Sequence, residues 1–309
     1  MLHRGLEVAA VRHWVIVALV LALTGAGVVA CDLSQSRFSG KRALAHVEAQ
    51  CDFGPRPVGS EANRKTSDYI GRVLEREGWE VTYQEFAYRG LKGRNVIGKK
   101  GQGPIIILGT HFDTRPIADR DPTDRSVAVM GANDGGSGTG VLLELARVLG
   151  SSATDQAEIW LAFFDAEDRG GLNAWSWSVG ARHMANSLIV RPEYVLIIDM
   201  VGDSDQAIYY EWTSSLWLLE KLWYIAADLG YEQYFVPKHR HTILDDHTPF
   251  LDWGIAAALV IDFDYKYWHT KHDTLDKISA DSLQRVGRVL ETMLEGDPFS
   301  ASPVEGPGS

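Results

Sequence analysis

The chain has 309 residues, which is enough for one large domain or two small ones. Its hydrophobic fraction of 45% and its charged fraction of 23% are those of an ordinary soluble globular protein. The formal net charge of −11 argues against nonspecific binding to nucleic acid, because the phosphate backbone attracts cationic surfaces.

The first 31 residues form a separate segment. Basic residues come before the apolar run WVIVALVLALTGAGVVAC, from Trp14 to Cys31, and small residues close it. This arrangement is typical of an export signal, and its last four residues resemble a bacterial lipoprotein box, in which Cys31 becomes the lipidated N-terminus. About 20 apolar residues can also span a bilayer, so an uncleaved signal anchor is the alternative. A buried core helix fits the flanking residues less well. We therefore predict an exported, extracytoplasmic protein attached to a membrane through segment 1–31.

Cys31 and Cys51 are the two cysteines of the chain, too few for a cysteine-rich zinc site. If Cys31 is lipidated, Cys51 is a lone thiol, which is most often a small buried apolar residue. A disulfide between them requires that Cys31 is retained unmodified.

The first half of the chain predicts two helices and then three strands. After a polar spacer, 32–40, a helical pattern begins near Lys41 and ends before the loop FGPRPVGS, where Ser60 can cap the next helix. GWEVTYQEF alternates between apolar and polar residues and predicts a strand, which NVIGKK follows. GPIIILGTHFD is a continuous apolar run, typical of a strand buried on both faces.

The second half alternates regularly between helices and strands. The predicted order is helix GVLLELARVL, strand AEIWLAFF, helix SVGARHMANSL, strand EYVLIIDM, helix SLWLLEKLWYIAADLG, strand GIAAALVIDF and helix SADSLQRVGRVLETMLEG. This alternation predicts an α/β fold, with a mostly parallel central sheet and helices on both faces. We expect a single domain over residues 41–297 and a frayed tail over residues 298–309.

Histidines and carboxylates follow the predicted strands. In parallel sheets, functional groups gather beyond the carboxyl ends of the strands. Carboxylates and imidazoles without thiolates favour Zn²⁺, whereas Mg²⁺ and Ca²⁺ prefer oxygen ligands alone. Any one of these residues could instead be a solvated loop residue or a helix cap, but their convergence on one edge favours a metal site. The residues are His111, Asp113, Asp134, Asp165, Glu167, Asp168, Asp199, Asp245, Asp246 and His269.

Glu167 and Asp168 are adjacent carboxylates. Because neighbouring residues that leave a strand point in different directions, both are not expected to bind one metal in the same way. One can bind the metal while the other acts as a general base, as in hydrolytic zinc sites.

The chain lacks the motifs of two other kinds of active site. The segment GANDGGSGTG has no lysine of a phosphate-binding loop and no GxGxxG pattern, which argues against nucleotide binding. We expect Ser137 or Thr139 to cap the helix that follows it. The chain also lacks the G-x-S-x-G elbow of serine hydrolases.

Six motifs together resemble those of the zinc exopeptidase (M28 aminopeptidase-like) superfamily, which includes di-zinc aminopeptidases. They are FGPRPVGS, GTHFDT, GANDGGSGTGVLLELAR, FFDAED, VLIIDMVG and WHTKHDT. Within this superfamily the sequence is most similar to the animal-type glutaminyl-peptide cyclotransferases, or glutaminyl cyclases. The features of that branch are Asp165, the segment DDHTPFL at 245–251, and Trp268 directly before His269. The likeness runs from about residue 44 to about residue 294.

The resemblance implies one zinc ion held by Asp134, Asp168 and His269. Glu167 would be the general base and acid. Asp199 and Asp245 would form a hydrogen-bonded carboxylate group beside it. The substrate pocket would be lined by Trp268, Tyr265 and a tryptophan of NAWSWS, either Trp175 or Trp177.

The chain departs from the cyclase pattern at two positions and leaves the number of metals open. Cyclases usually carry two glutamates where this chain has Glu167 and Asp168, and Tyr265 stands where animal enzymes have phenylalanine. The segment before WHT is also one residue shorter. The five positions that bind two zinc ions in the aminopeptidases are all filled by suitable residues, so His111 and Asp199 permit a second metal. Those positions are His111, Asp134, Asp168, Asp199 and His269.

The sequence therefore predicts an exported zinc enzyme that converts the N-terminal glutamine of peptides or proteins to pyroglutamate and releases ammonia. No redox cofactor and no nucleic-acid partner is implied. A di-zinc aminopeptidase that removes N-terminal residues is the first alternative. A non-catalytic binding module on the same fold is the second.

Overall fold

The computed structural model describes residues 36–299 of the chain. The export or anchor segment 1–31, Cys31 within it, the first residues of the spacer and residues 300–309 of the tail lie outside the described residues. The predictions made for them, and the predicted boundaries, stay predictions. Within residues 36–299, no helix combines the length and the apolar character needed to cross a bilayer.

The apolar runs of the sequence form the strands of a central sheet. The strands are β1 (Glu80–Tyr88), β2 (Leu91–Gly101), β3 (Ile105–His111), β4 (Glu158–Phe164), β5 (Tyr194–Asp199), β6 (Ile208–Glu211), β7 (Phe235–His241) and β8 (Ala257–Ile261). Six of them form one sheet in the order β1-β2-β4-β3-β5-β8. Strands β4, β3, β5 and β8 are parallel, whereas β1 and β2 are joined antiparallel to them. Strands β6 and β7 pair separately.

The predicted helices are present close to their expected bounds. They are α1 (Gly40–Asp52), α2 (Glu61–Arg76), α3 (Gly136–Val148), α4 (Ser151–Thr154), α5 (Val179–Ser187), α6 (Leu216–Asp228), α7 (Thr248–Asp252) and α8 (Ala280–Glu295). Ser60 caps α2 as predicted, because its hydroxyl accepts a hydrogen bond from the Asn63 N–H. The short elements α4, α7, β6 and β7 were not predicted.

The parallel strands are buried on both faces, which explains their continuous apolar sequences. On one face, side chains such as Leu108 and Leu196 pack against α1, α2, α3, α6 and α8. On the other face, Ile107 and Ile197 pack against α5 and α7. The predicted α/β domain, with a mixed but mostly parallel sheet and helices on both faces, is confirmed. Cys51 is a buried free thiol on α1.

The start of α3 differs from the prediction. Gly135 occupies the N-cap position with φ 81°, and no side chain caps the helix. A side chain at Gly135 would bring its Cβ to 2.5 Å from the Asp113 carbonyl oxygen, so glycine is required there. The hydroxyl of Ser137 donates instead to Asn133 O, and that of Thr139 to His111 O. The bond from Thr139 ties the start of α3 to the end of β3.

Candidate active site and metal centre

The carboxyl ends of the parallel strands bring the predicted residues together. Strand β3 ends at His111, which lies beside Phe164 at the end of β4, and β5 ends at Asp199. Glu167 and Asp168 follow β4 directly, and Asp134 lies just before α3. The sheet edge therefore carries these groups, as the topology of a parallel sheet predicts.

Asp134, Asp168 and His269 form the first of two triads. One ligand-type atom from each residue lies within 4.8 Å of the others. His269 Nε2 is 3.0 Å from Asp168 Oδ1 and 3.7 Å from Asp134 Oδ2. Within residues 36–299, Asp134 Oδ2, both carboxylate oxygens of Asp168 and His269 Nε2 are buried without a hydrogen bond, since the 3.0 Å contact between His269 and Asp168 is not aligned for one. Such atoms are rare in native proteins, and a cation among them would satisfy all four.

His111, Asp134 and Asp199 form the second triad, also within 4.8 Å. His111 Nε2 lies 3.1 Å from Asp134 Oδ1 and 3.1 Å from Asp199 Oδ1, and it is hydrogen-bonded to Asp199. Burial acts to lower the pKa of His111, but Asp199, Asp113 and Asp134 outweigh it and raise the pKa well above its ordinary value. In the second triad, His111 and Asp199 are therefore hydrogen-bonded to each other, unlike any two residues of the first triad.

The chemistry of the first triad fits zinc. Burial, and next the charge of Asp134, raises the pKa of Asp168 to about 7, so the bare cluster resists full ionisation. A divalent cation would favour the ionised carboxylates. Two carboxylates and one imidazole without a thiolate are ligands that Zn²⁺ accepts, with a position left for a substrate atom. The residues present therefore fit the predicted zinc ion.

Two buried carboxylates hold the loops that carry these ligands. Asp113 accepts the backbone N–H groups of Glu167 at 3.0 Å and Asp168 at 3.1 Å. Asp273 accepts those of Asn133 at 2.8 Å and Asp134 at 3.1 Å. The sequence places Asp113 among the residues at strand ends but predicts no role for it. It does not single out Asp273, although Asp273 lies in the motif WHTKHDT. These bonds fix the directions of the ligand side chains.

A third carboxylate supports His269. Asp119 Oδ1 lies 3.4 Å from His269 Nδ1, and the guanidinium of Arg115 donates to both oxygens of Asp119 at 2.9 Å. Arg115 also donates to Asp168 O at 3.0 Å, which links the two ligand loops. A carboxylate behind a ligating histidine orients its ring. His269 itself has φ 57°, a strained backbone for a residue other than glycine.

Glu167 lies in a cavity of about 210 Å³ beside the first triad. This is smaller than the roughly 300–1,000 Å³ of pockets for drug-sized ligands, so it suits one amino-acid side chain. Burial raises the pKa of Glu167 well above its ordinary value. Polar groups line one part of the cavity and apolar side chains the rest: Asp134, Asp168, Asp199, Asp245, Thr242 and His269, with Trp177, Met200, Ile243, Leu244, Ile261, Phe263 and Trp268.

Asp199 and Asp245 both reach this cavity beside Glu167. Burial, and next the charge of Asp199, raises the pKa of Asp245 well above its ordinary value. The charge of Asp199 therefore acts on the Asp245 carboxyl, and Asp199 is also hydrogen-bonded to His111. A direct hydrogen bond between Asp199 and Asp245 stays a prediction.

The aromatic residues divide between the cavity and the core. Trp268 and Trp177 line the cavity, and the Trp177 ring stacks on His269 with 6.3 Å between ring centroids. Trp175 does not line it and packs edge-on against Tyr88 in a separate apolar cluster. Of the two tryptophans that the sequence left open, Trp177 is therefore the one at the site.

Tyr265 differs from its expected place. Its ring is buried and its hydroxyl donates to Asp273 Oδ1 at 2.8 Å, so it supports the Asp134 loop from outside the cavity. Phe263, two residues earlier, supplies the aromatic wall. The sequence did not single out Phe263. Phe263 and Tyr265 both lie in the short segment after β8, and residue type alone does not show which of them lines the cavity.

Comparisons with known proteins place this geometry in a family. The model of peptidase family M28 matches residues 95–294. The chain belongs to peptidase family M28. Aminopeptidase YwaD from Bacillus subtilis (strain 168) is 30% identical over 281 residues, 82% of this chain and 56% of YwaD. The chain thus spans about half the length of this M28 relative.

Glutaminyl cyclases are also similar to this M28 chain. A glutaminyl-peptide cyclotransferase from Gloydius blomhoffii is 27% identical over 289 residues, 75% of each protein. The crystal structure of Bacteroides thetaiotaomicron glutaminyl cyclase bound to N-acetylhistamine has a TM-score of 0.79 and 30% identity, covering 85% of this chain and 99% of that one. The resemblance drawn from the motifs, to the M28 superfamily and to glutaminyl cyclases, is confirmed. Because relatives with either activity match at similar identity, identity does not decide between the two.

Proposed function

We propose that this M28 protein is a zinc-dependent glutaminyl cyclase, which converts the N-terminal glutamine of peptides or proteins to pyroglutamate. The supporting observation is the unequal hydrogen bonding of the two triads. Within residues 36–299, ligand atoms of Asp134, Asp168 and His269 lack hydrogen-bond partners, whereas His111 and Asp199 bond to each other. This favours one metal, and cyclisation needs one Lewis acid and a base but no nucleophilic water.

The residues around the cavity would each carry part of the reaction. Zinc, when bound, supplies a Lewis acid for the γ-amide carbonyl. Trp177, Phe263 and Trp268 would hold the glutamine side chain folded back towards its own α-amine, which makes the attack intramolecular. Glu167 would take a proton from the α-amine as the N–C bond forms. It would return that proton to the amide nitrogen as the C–N bond breaks, so that ammonia leaves.

The test couples metal content to product analysis. Purified protein is incubated with Gln-Ala and with Leu-Ala, and ammonia, pyroglutamyl-alanine and free amino acids are measured. We expect about one zinc per chain, ammonia from Gln-Ala and no free leucine. Two tightly bound metals together with leucine release would contradict the proposal.

A di-zinc aminopeptidase is the second candidate, because the atoms of His111, Asp134 and Asp199 lie close enough to hold another ion. In that enzyme a metal-activated water attacks the peptide bond. The small aromatic cavity favours one kind of N-terminal side chain over broad specificity. The complete ligand set argues against a non-catalytic binding module.

We also propose that the enzyme acts outside the cytoplasm, attached to a membrane through segment 1–31. The support is the basic start, the apolar run and the lipoprotein-like box that ends at Cys31. Its substrates would then be exported or extracellular peptides that begin with glutamine.

A further inference from the structure

A second cavity, which we call the basic groove, adjoins the active-site cavity. The two cavities share Trp268 and Phe263 as a common wall. The basic groove measures about 600 Å³, against about 210 Å³ for the cavity that holds Glu167. A peptide whose first residue fills the smaller cavity could therefore continue over Trp268 into a space large enough for its next residues.

Three cations line the basic groove: Arg120, Arg125 and Lys266. All three are exposed, and none forms an ion pair with a carboxylate in the part of the chain that the structure describes. Asp119 also lines the groove, but the guanidinium of Arg115 already holds both of its oxygens. The groove thus carries uncompensated positive charge in a chain whose net charge is −11.

Two of the three cations, Arg120 and Arg125, are held by contacts to the loops beside the groove. The guanidinium of Arg120 lies 4.1 Å from the centroid of the Trp268 ring, and its backbone N–H donates to His269 O. Arg125 Nε donates to Asp121 O at 3.1 Å. The positive charge is therefore tied to the same loops that build the active site.

We propose that the basic groove binds the second and third residues of the peptide substrate and selects a carboxylate there. This inference rests on the proposed function, which places the N-terminal residue beside Glu167. The shared chemistry is a carboxylate, supplied either by an acidic side chain or by the C-terminus of a short peptide. Arg120, Arg125 and Lys266 would pair with it, since no described carboxylate does.

The other opening of the cavity offers a less suitable route. Beyond Trp177 lies a space of about 180 Å³, whose polar lining consists of Arg182, Asp245 and hydroxyl groups. Arg182 is already paired with Asp252 at 3.2 Å. This opening is both smaller than the basic groove and without an uncompensated cation, so it provides a matched control.

The test measures kcat/KM for amidated peptides that differ at one position. Gln-Glu-Ala-amide is compared with the neutral Gln-Gln-Ala-amide, Gln-Ala-Glu-amide with the neutral Gln-Ala-Gln-amide, and Gln-Ala with Gln-Ala-amide. Exposed ion pairs are individually weak, so we expect a preference for the carboxylate of about 3–10-fold at low ionic strength. The preference should disappear in about 1 M salt, where charges are screened within about 3 Å.

The variants show where the preference arises. Arg125→Gln combined with Lys266→Gln should reduce the preference by about twofold or more, because Arg120 alone then remains to pair with the carboxylate. The double variant should leave kcat/KM for the neutral peptides within about twofold. Arg182→Gln should keep the preference. Equal rates for acidic and neutral peptides, or loss of the preference only in Arg182→Gln, would overturn the inference.

Product analysis separates this inference from the proposed function. Ammonia and free glutamine are measured in the same reactions, so a carboxylate preference can be read from either product. Glutamine release with an intact preference would overturn the cyclase proposal and support the groove. Ammonia release without a carboxylate preference would support the cyclase proposal and overturn the role of the basic groove. No turnover of any peptide would overturn both proposals.

Discussion

At the scale of single residues, Glu167 and Asp168 are neighbours whose carboxylates have different surroundings. Asp168 Oδ1 lies 3.0 Å from His269 Nε2, among buried ligand atoms that lack hydrogen-bond partners within residues 36–299. Glu167 lies in the cavity with Asp199 and Asp245. This arrangement agrees with the expectation from the sequence that adjacent residues divide metal binding and proton transfer between them.

We predict that Asp168→Ala and His269→Ala lose both zinc and activity, whereas Glu167→Gln keeps zinc and loses activity. The glutamine fills the same space but cannot carry the proton, so kcat should fall by about 10²–10⁴-fold. Metal analysis and ammonia release of the purified variants check this. A folded Glu167→Gln protein without zinc would reverse the two roles.

Tyr265 is predicted to support the site rather than to bind the N-terminal residue of the substrate. Its hydroxyl bonds Asp273, which in turn holds the backbone N–H groups of Asn133 and Asp134. We predict that Tyr265→Phe lowers the free energy of unfolding by about 1 kcal/mol, the net value of one hydrogen bond. Because the ring lies outside the cavity that holds Glu167, and phenylalanine keeps the ring that lines the basic groove, kcat/KM for Gln-Ala should stay within about twofold.

Urea denaturation and steady-state kinetics measure both effects. Trp268→Ala is the matched comparison, because Trp268 lines the cavity and its loss should raise KM strongly. A large rise of KM in Tyr265→Phe with unchanged stability would instead place Tyr265 at the substrate.

At the scale of secondary structure, long and regular elements could be predicted from the sequence, and short ones could not. The strands β3, β4 and β5 are buried on both faces, so their apolar runs are unambiguous. Strand β7 has the sequence FVPKHRH and is mostly exposed, and α7 has only five residues. Neither carries a periodic apolar pattern, so nothing in the sequence marks them.

The candidate site, too, could be predicted from the sequence only in part. The residues at strand ends could be placed together, because a parallel sheet brings its carboxyl ends to one edge. The roles of Asp113, Asp119 and Asp273 could not be predicted, since each bonds a loop or ring distant in sequence. The choice of Trp177 and Phe263 for the cavity depends on side-chain packing, which spacing does not reveal.

At the scale of the whole molecule, zinc should contribute to the stability of the fold. Asp134, Asp168 and His269 come from three separate loops, which the unfolded chain does not hold together. A ligand that binds the native state alone stabilises it by about 2.7 kcal/mol at a free concentration of 100 Kd. For a domain of this size we therefore expect a chelator to lower Tm by about 5–10 °C.

Calorimetry or thermal unfolding measured by circular dichroism checks this prediction. Added Zn²⁺ should restore the original Tm, whereas Mg²⁺ should not, because the site includes an imidazole ligand. The same treatment of His269→Ala is the control and should change Tm little. An unchanged Tm in the wild-type protein after complete removal of zinc would contradict a structural contribution of the metal.

Attachment to the membrane should depend on Cys31, whereas catalysis should not. The sequence places Cys31 at the end of an export-type segment, and every candidate site residue lies between His111 and His269. We predict that the wild-type protein is found in the membrane fraction with an acylated Cys31 N-terminus, and that Cys31→Ser is released or stays an uncleaved precursor.

Cys51→Ser is the matched control for this prediction, because Cys51 is a buried thiol on α1 and should carry no lipid. All three proteins should release ammonia from Gln-Ala with similar kcat, since the cavity and both triads are built from residues far along the chain from Cys31. Cell fractionation and mass spectrometry of the intact proteins decide the question. Cleavage at another position would exclude the lipoprotein interpretation, and a retained segment 1–30 in the mature wild-type protein would favour the signal anchor, because about 20 apolar residues can span a bilayer without lipidation.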